Sequence, residues 1–133
     1  MKAVIMAGGK GTRISSVASD IPKPMIKIEG IPVLEREIEC LKEQGFDDII
    51  ITVSHLGNII MDYFGDGSGK SPVTGRSFGV HIEYYFEKEP LGNAGALFKI
   101  KNKLTRYKYH QLKSCNLNQL SARMILKIIN HHF

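Results

Sequence analysis

A short apolar run that empties into a glycine-rich, cation-bearing turn leaves a chain few folds to adopt. Here the run is Lys2-Ala3-Val4-Ile5-Met6 and the turn is Ala7-Gly8-Gly9-Lys10-Gly11-Thr12-Arg13. A continuous apolar run feeding such a turn fits a buried central strand of a parallel sheet. Glycines let the backbone take positive φ and approach a ligand closely. Successive free N–H groups in a turn of this kind form a concavity suited to phosphate. Lys10, Arg13 and then Lys23, inside Pro22-Lys23-Pro24, add cations. The Arg13 guanidinium can grip a phosphate through two parallel hydrogen bonds. The stretch therefore reads as a phosphate cradle at the carboxyl end of a first strand, where open α/β sheets bind ligands.

Two common glycine motifs are excluded. The dinucleotide fingerprint G-x-G-x-x-G, begun at Gly9, needs glycine at 14, and Ile14 stands there. The P-loop spacing G-x-x-x-x-G-K-[S/T] does not occur.

Further along, the hydrophobic pattern predicts a helix over 32–44, with Val33, Leu34, Ile38 and Leu41 on one face and Glu35, Arg36, Glu37, Glu39, Lys42 and Glu43 on the other. Gly45 stops it. Ile49-Ile50-Ile51-Thr52-Val53 is a β-branched buried strand, so the first half forms a βαβ unit. Pro22 and Pro24 are expected to hold Lys23 on an extended segment, with a short strand at 25–28. A second helix is predicted over 57–64 and a third strand over 80–86. Residues 65–79, rich in Gly, Ser and Pro, read as a flexible surface loop.

At 133 residues the chain is one domain by length. Its net charge of +5 hides an asymmetry. Residues 1–100 carry 11 Lys/Arg against 13 Asp/Glu, whereas residues 101–133 carry 7 Lys/Arg and no acid. Cys40 and Cys115 lack metal-type spacing and read as reduced thiols. With no signal-like N-terminus and no apolar run near the ~20 residues of a membrane helix, the expected location is cytoplasmic.

A second informative stretch is Glu87-Lys88-Glu89-Pro90-Leu91-Gly92-Asn93-Ala94-Gly95-Ala96-Leu97. A strand ends, a proline-glycine turn follows, and small residues open a helix whose N-terminus offers free N–H groups.

The combination G-G-x-G-T-R, P-K-P and P-L-G-N-A-G-A resembles the signatures of the sugar-phosphate nucleotidyltransferases, also called NDP-sugar pyrophosphorylases. Asn93 stands where threonine is common in them. The resemblance covers roughly residues 1–100 and looks closest to mannose- and heptose-1-phosphate guanylyltransferases. It implies an α/β fold, a Rossmann-like three-layer sandwich with a mostly parallel sheet, here incomplete. It implies transfer of a nucleotidyl group from an NTP to a sugar 1-phosphate, giving an NDP-sugar and pyrophosphate. Arg13 and Lys23 would be the catalytic cations. Met6, Ala7, Gly8, Gly9, Gly11, Thr12, Glu87, Leu91 and Gly92 would bind the nucleotide. Glu87 could accept from a guanine edge, which favours GTP.

The family also implies Mg2+, held by an aspartate of a fourth strand. Residues 101–133 contain no Asp or Glu, so that aspartate is absent and no metal ligand is assigned. The basic segment looks like unrelated sequence appended by truncation or frameshift, and its Leu117, Leu120, Met124, Ile125, Ile128 and Ile129 suit an amphipathic helix. The alternative function is therefore an inactive fragment that keeps the nucleotide-phosphate loop. Without the fourth strand, 2–6 would have an open edge inviting self-association. A nucleic-acid contact by the basic segment rests on charge alone and is not expected, and no membrane partner is expected.

Overall fold

The computed structural model describes residues 2–8, 20–89, 95 and 98–100, together with the backbone of 107–111 and 125–130. Strand β1 (Lys2–Met6) lies at the centre of a five-stranded sheet. It pairs in parallel with β4 (Asp48–Val53), from Lys2 opposite Asp48 to Met6 opposite Thr52. Strand β4 pairs in parallel with β5 (His81–Phe86), from Asp48 opposite His81 to Val53 opposite Phe86. On its other side β1 is covered by β7 (Ile125–Asn130), antiparallel, and β6 (Tyr107–Gln111) pairs antiparallel with β7. The order is β5-β4-β1-β7-β6.

Alternation along the strands sends side chains to two faces. Ala3, Ile5, Ile49, Ile51, Val53 and Ile82 point to one face, where they meet Leu34, Ile38 and Leu41 of helix α1 (Val33–Glu43) and Ile60 and Phe64 of α2 (Gly57–Phe64). Val4 and Ile50 point to the other face, where buried Ile100 packs on them beside Met6 and Tyr85. The sheet thus lies between two layers, and the expected α/β three-layer arrangement is present. It is incomplete as a parallel sheet, because the strand beside β1 on the far side runs antiparallel.

Helix α1 ends as its sequence predicts. Gly45 takes φ 84, the Phe46 N–H donates to the Leu41 carbonyl at 2.9 Å, and the Gly45 N–H donates to Lys42 at 2.9 Å. These are the two bonds of a Schellman cap, and buried Phe46 and Leu41 supply its hydrophobic contact. Before α1, β2 (Lys27–Ile28) and β3 (Ile31–Pro32) form a small hairpin. Its turn residues Glu29 and Gly30 have φ 51 and φ 80, as a two-residue turn matched to strand twist requires.

Several expectations are corrected. Lys23 is not extended: Lys23–Met25 is a turn of 3-10 helix, because burial of Pro24 and Met25 in the core outweighs the local bias before proline. Residues 125–130 are strand, not helix, and they close the β1 edge, so association through that edge loses its basis. Cys40 is disulfide-bonded, which removes the thiol-based reason for a reducing compartment. The loop over 65–79 is anchored. Buried Glu35 of α1 accepts hydrogen bonds from Tyr63 (2.6 Å), Ser71 (3.0 Å) and Thr74 (3.1 Å). One turn on, Glu39 pairs with Arg76 at 2.6 Å, and beyond it the Lys42 ammonium donates to the Ser77 carbonyl at 3.5 Å. Among the described residues no helix is long and apolar enough to cross a membrane.

Candidate nucleotide site

The carboxyl ends of β1, β4 and β5 come together through bonds that extend the sheet one residue past β1 and β5. The Ala7 N–H donates to the Thr52 carbonyl at 2.9 Å, and the Glu87 N–H donates to the Val53 carbonyl at 2.7 Å. Ala7, Gly8 and Glu87 are thereby set side by side at the rim. The Ser54 hydroxyl, just past β4, donates to the Gly8 carbonyl at 2.5 Å.

Gly8 is glycine for a reason of space. A β-carbon there would stand 2.6 Å from Glu87 Oε1 and 2.8 Å from Glu87 Cδ. Backbone and carboxylate have come closer than any side chain allows. Glu87 is only 7% exposed, and its carboxylate has no hydrogen-bond donor among the described residues. The Thr52 hydroxyl, beneath the same rim, is also buried and without a partner among the described residues.

The expected site residues divide accordingly. Met6, Ala7, Gly8 and Glu87 are brought together. Lys23 lies half-buried on its own turn, whose Met25 joins the same core cluster as Ala7. Gly9, Gly11, Thr12, Arg13, Leu91 and Gly92 lie outside the described residues. Ser54 is an addition: a serine after a strand carries no local signal, and its partner is 46 residues away.

Among the described residues, the one group able to offer three metal-ligating atoms within 4.8 Å is Asp48, His81 and Glu83. It sits at the amino ends of β4 and β5, about 16 Å from Gly8 at ~3.3 Å per residue along a strand. The Lys2 ammonium already pairs there with Asp48 at 3.2 Å and reaches Glu83 at 3.9 Å. His81 Nδ1 lies 3.2 Å from Asp48 Oδ1. This is a cross-strand charge row, and it does not fit the Mg2+ that the resemblance implies at the phosphate end. No residue is assigned to that ion.

The profile of the family described as nucleotidyl transferase matches residues 2–131. The chain is 44% identical over 110 residues to a UTP–glucose-1-phosphate uridylyltransferase of Synechocystis, an alignment covering 76% of the chain and 26% of that relative. It is 43% identical over 97 residues to the D-glycero-alpha-D-manno-heptose 1-phosphate guanylyltransferase of Campylobacter jejuni, covering 73% and 40%. Among solved structures it is similar to HddC from Yersinia pseudotuberculosis complexed with GMP-PN, with TM-score 0.60 and 37% identity over 75% of the chain and 41% of that protein. The chain thus spans between a quarter and two-fifths of the length of these relatives.

Proposed function

The chain belongs to the nucleotidyl transferase family, and from that premise we propose that it serves the transfer of a nucleotidyl group from a nucleoside triphosphate to a sugar 1-phosphate. A phosphate oxygen of the sugar attacks the α-phosphorus, the bond between the α-phosphorus and its bridging oxygen breaks, and pyrophosphate leaves. The observation that carries this reading is the junction of Gly8 and Glu87 at the carboxyl ends of the sheet's parallel strands, at the mouth of the G-G-x-G-T-R turn. Reactions of this type need positioning and charge neutralisation more than covalent help. N–H groups of Gly8, Gly9 and Gly11 and the Thr12 hydroxyl would meet the triphosphate. Arg13 would stabilise charge on the α-phosphate and the leaving group, and Lys23 would reach the α-phosphate or the sugar phosphate. Met6, Ala7, Leu91 and Gly92 would bracket the base.

Glu87 points to guanine. Its carboxylate, without a donor among the described residues, can accept from both the ring N–H and the amino group of guanine, whereas uracil offers a single N–H. The test is pyrophosphate release with Mg2+, GTP, UTP or dTTP, and mannose, glucose or heptose 1-phosphate. Turnover with GTP favoured over UTP, abolished by Arg13→Ala and with the preference lost in Glu87→Gln, is expected. Equal use of UTP by the unaltered chain would sink the guanine assignment.

A second reading is favoured by the absence of any Asp or Glu from residues 101–133. In it, residues 1–100 carry the nucleotidyltransferase motifs, the basic residues 101–133 supply no carboxylate for a metal, and the chain binds nucleotide without turning it over. Binding of GTP with no pyrophosphate release by folded protein would select this reading over the first.

A further inference from the structure

The charge row at the amino ends of β4 and β5 takes no part in the proposed transfer, since it lies about 16 Å from Gly8. Strand register builds it. Lys2 stands opposite Asp48, Asp48 opposite His81, and Ile50 opposite Glu83. Alternation sends Lys2, Asp48, His81 and Glu83 to the face on which Val4 and Ile50 are buried, so paired backbone holds all four side by side.

The row already holds a cation. The Lys2 ammonium, on a side chain only 13% exposed, lies 3.2 Å from Asp48 Oδ2 and 3.9 Å from Glu83 Oε1. One positive charge thus faces two carboxylates. An imidazole completes the set: His81 Nδ1 lies 3.2 Å from Asp48 Oδ1, the other oxygen of the same carboxylate. Asp48, His81 and Glu83 each offer one ligand atom within 4.8 Å of the others. Bonds of ~2.0–2.2 Å to one ion hold neighbouring ligand atoms roughly 3.3–3.5 Å apart in tetrahedral geometry, so His81 and Asp48 already stand close to the spacing of a shared ion. The donor set also selects the kind of ion. Two carboxylates and an imidazole suit a borderline ion such as Zn2+, which takes oxygen and nitrogen ligands and keeps a fourth position for water. Mg2+ demands near-octahedral oxygen and gives up its waters reluctantly.

We propose that Asp48, His81 and Glu83 form a structural site for a divalent cation of the zinc class, which enters by displacing the Lys2 ammonium. The exchange replaces one positive charge by two, matching the two carboxylates, and the flexible Lys2 stem lets its ammonium turn to solvent. The ion ties β5 to β4 at the end away from the candidate nucleotide rim. The site is independent of the nucleotidyl-transfer reading, and its test uses no nucleotide.

That test titrates ZnCl2, and MgCl2 in parallel, into the full chain near neutral pH, read by calorimetry and by thermal unfolding. Zn2+ is expected to bind and to raise the melting temperature by several degrees, since an ion that binds only the folded state stabilises it by mass action. Mg2+ should bind at least about tenfold more weakly. His81→Ala removes a largely exposed side chain and is expected to fold as the unaltered chain does. It should cost one bound equivalent of Zn2+, through an affinity loss of at least about tenfold. Lys2→Met keeps the apolar stem, removes the competing charge, and should tighten Zn2+ binding about threefold, the scale of a surface ion pair. Failure of the unaltered chain to bind Zn2+ overturns the proposal. So does Zn2+ binding that His81→Ala leaves unchanged, which would place the ion on other histidines, such as His110, His131 and His132. Mg2+ bound as tightly as Zn2+ would mark bare attraction to two carboxylates, without the imidazole. Lys2→Met binding no tighter than the unaltered chain would show that ammonium and ion do not share one place. Either of these results also overturns the proposal.

Discussion

Gly8 and Glu87 compete for one small volume, and that competition fixes what either position can be. A methyl group at position 8 would overlap the Glu87 carboxylate. Relief requires moving a side chain that is itself buried at the rim, or moving the end of β1. Overpacking of this kind costs about 1–3 kcal/mol. Gly8→Ala is therefore expected to lose that much stability in urea unfolding. Glu87→Ala alone should change little, because it removes a carboxylate that has no donor among the described residues. Combining the two substitutions should restore most of the loss, giving a coupling energy of at least ~1 kcal/mol. Strictly additive effects would mean that the two residues do not share this space. Both residues are legible as candidate site residues in the amino-acid sequence, since each lies where a strand ends and a glycine-bearing stretch begins. Their contact is not legible there, because 79 positions separate them.

At the scale of elements, the periodic segments are readable and the ones that depend on distant partners are not. Helix α1 and strands β1, β4 and β5 carry their own signals in apolar spacing, β-branching and a glycine stop. Ile125, Ile128 and Ile129 have helical spacing, yet the run Ile125-Leu126-Lys127-Ile128-Ile129 is also nearly continuous and apolar. Such a run cannot be told from a buried strand by periodicity alone. Pairing with β1 decides for the strand. The 65–79 segment has the residues of a free loop, but its anchor is a charged residue on another element. Glu35, placed on the polar face of α1 by its charge, is 4% exposed and gathers Tyr63, Ser71 and Thr74. The Ser71 hydroxyl in turn accepts from the Val73 and Thr74 amides at 3.1 and 3.0 Å. Glu35→Ala is expected to lower stability by about 1–3 kcal/mol, the range for stranding buried hydrogen-bond partners. It should also make trypsin cleave after Lys70 and Arg76 well before it does in the unaltered chain. Equal cleavage rates would show that the loop is held by something other than Glu35.

The whole molecule is a sheet with its candidate nucleotide rim at one end and a charge row at the other, and its response to pH follows from groups on the β5 side. Burial first, and then the Asp66 charge, hold the Tyr84 phenol well above its ordinary value, up to about 12. Its hydroxyl donates to the Gly65 carbonyl at 2.7 Å, which only the protonated form can do. The folded state therefore keeps this proton more tightly than the unfolded chain, whose tyrosines titrate near the ordinary value of about 10. A folded pKa raised in this way contributes stability that is fully present below the unfolded value and is lost as pH climbs through the folded one. The loss should fall between about pH 10, the ordinary tyrosine value, and about 12, where Tyr84 itself titrates. The informative quantity is the difference between the unaltered chain and Tyr84→Phe. Near neutral pH the variant should be less stable by about 1 kcal/mol, the net worth of one hydrogen bond. That gap should narrow as pH rises through the window and close at its upper end, where the phenolate can no longer donate and its charge faces Asp66. Asp66 itself responds at the opposite end of the scale. Hydrogen bonds from the Ser68 hydroxyl and amide hold its carboxyl below the usual range, so its contribution is present above that range and fades as pH falls through the folded value. Because Asp66 is fully exposed, the alkaline limb is the sharper test. A gap between the two proteins that stays constant from about pH 8 to about pH 12 would mean that Tyr84 ionises as freely in the fold as outside it, and that the edge formed by β5 is open to water there.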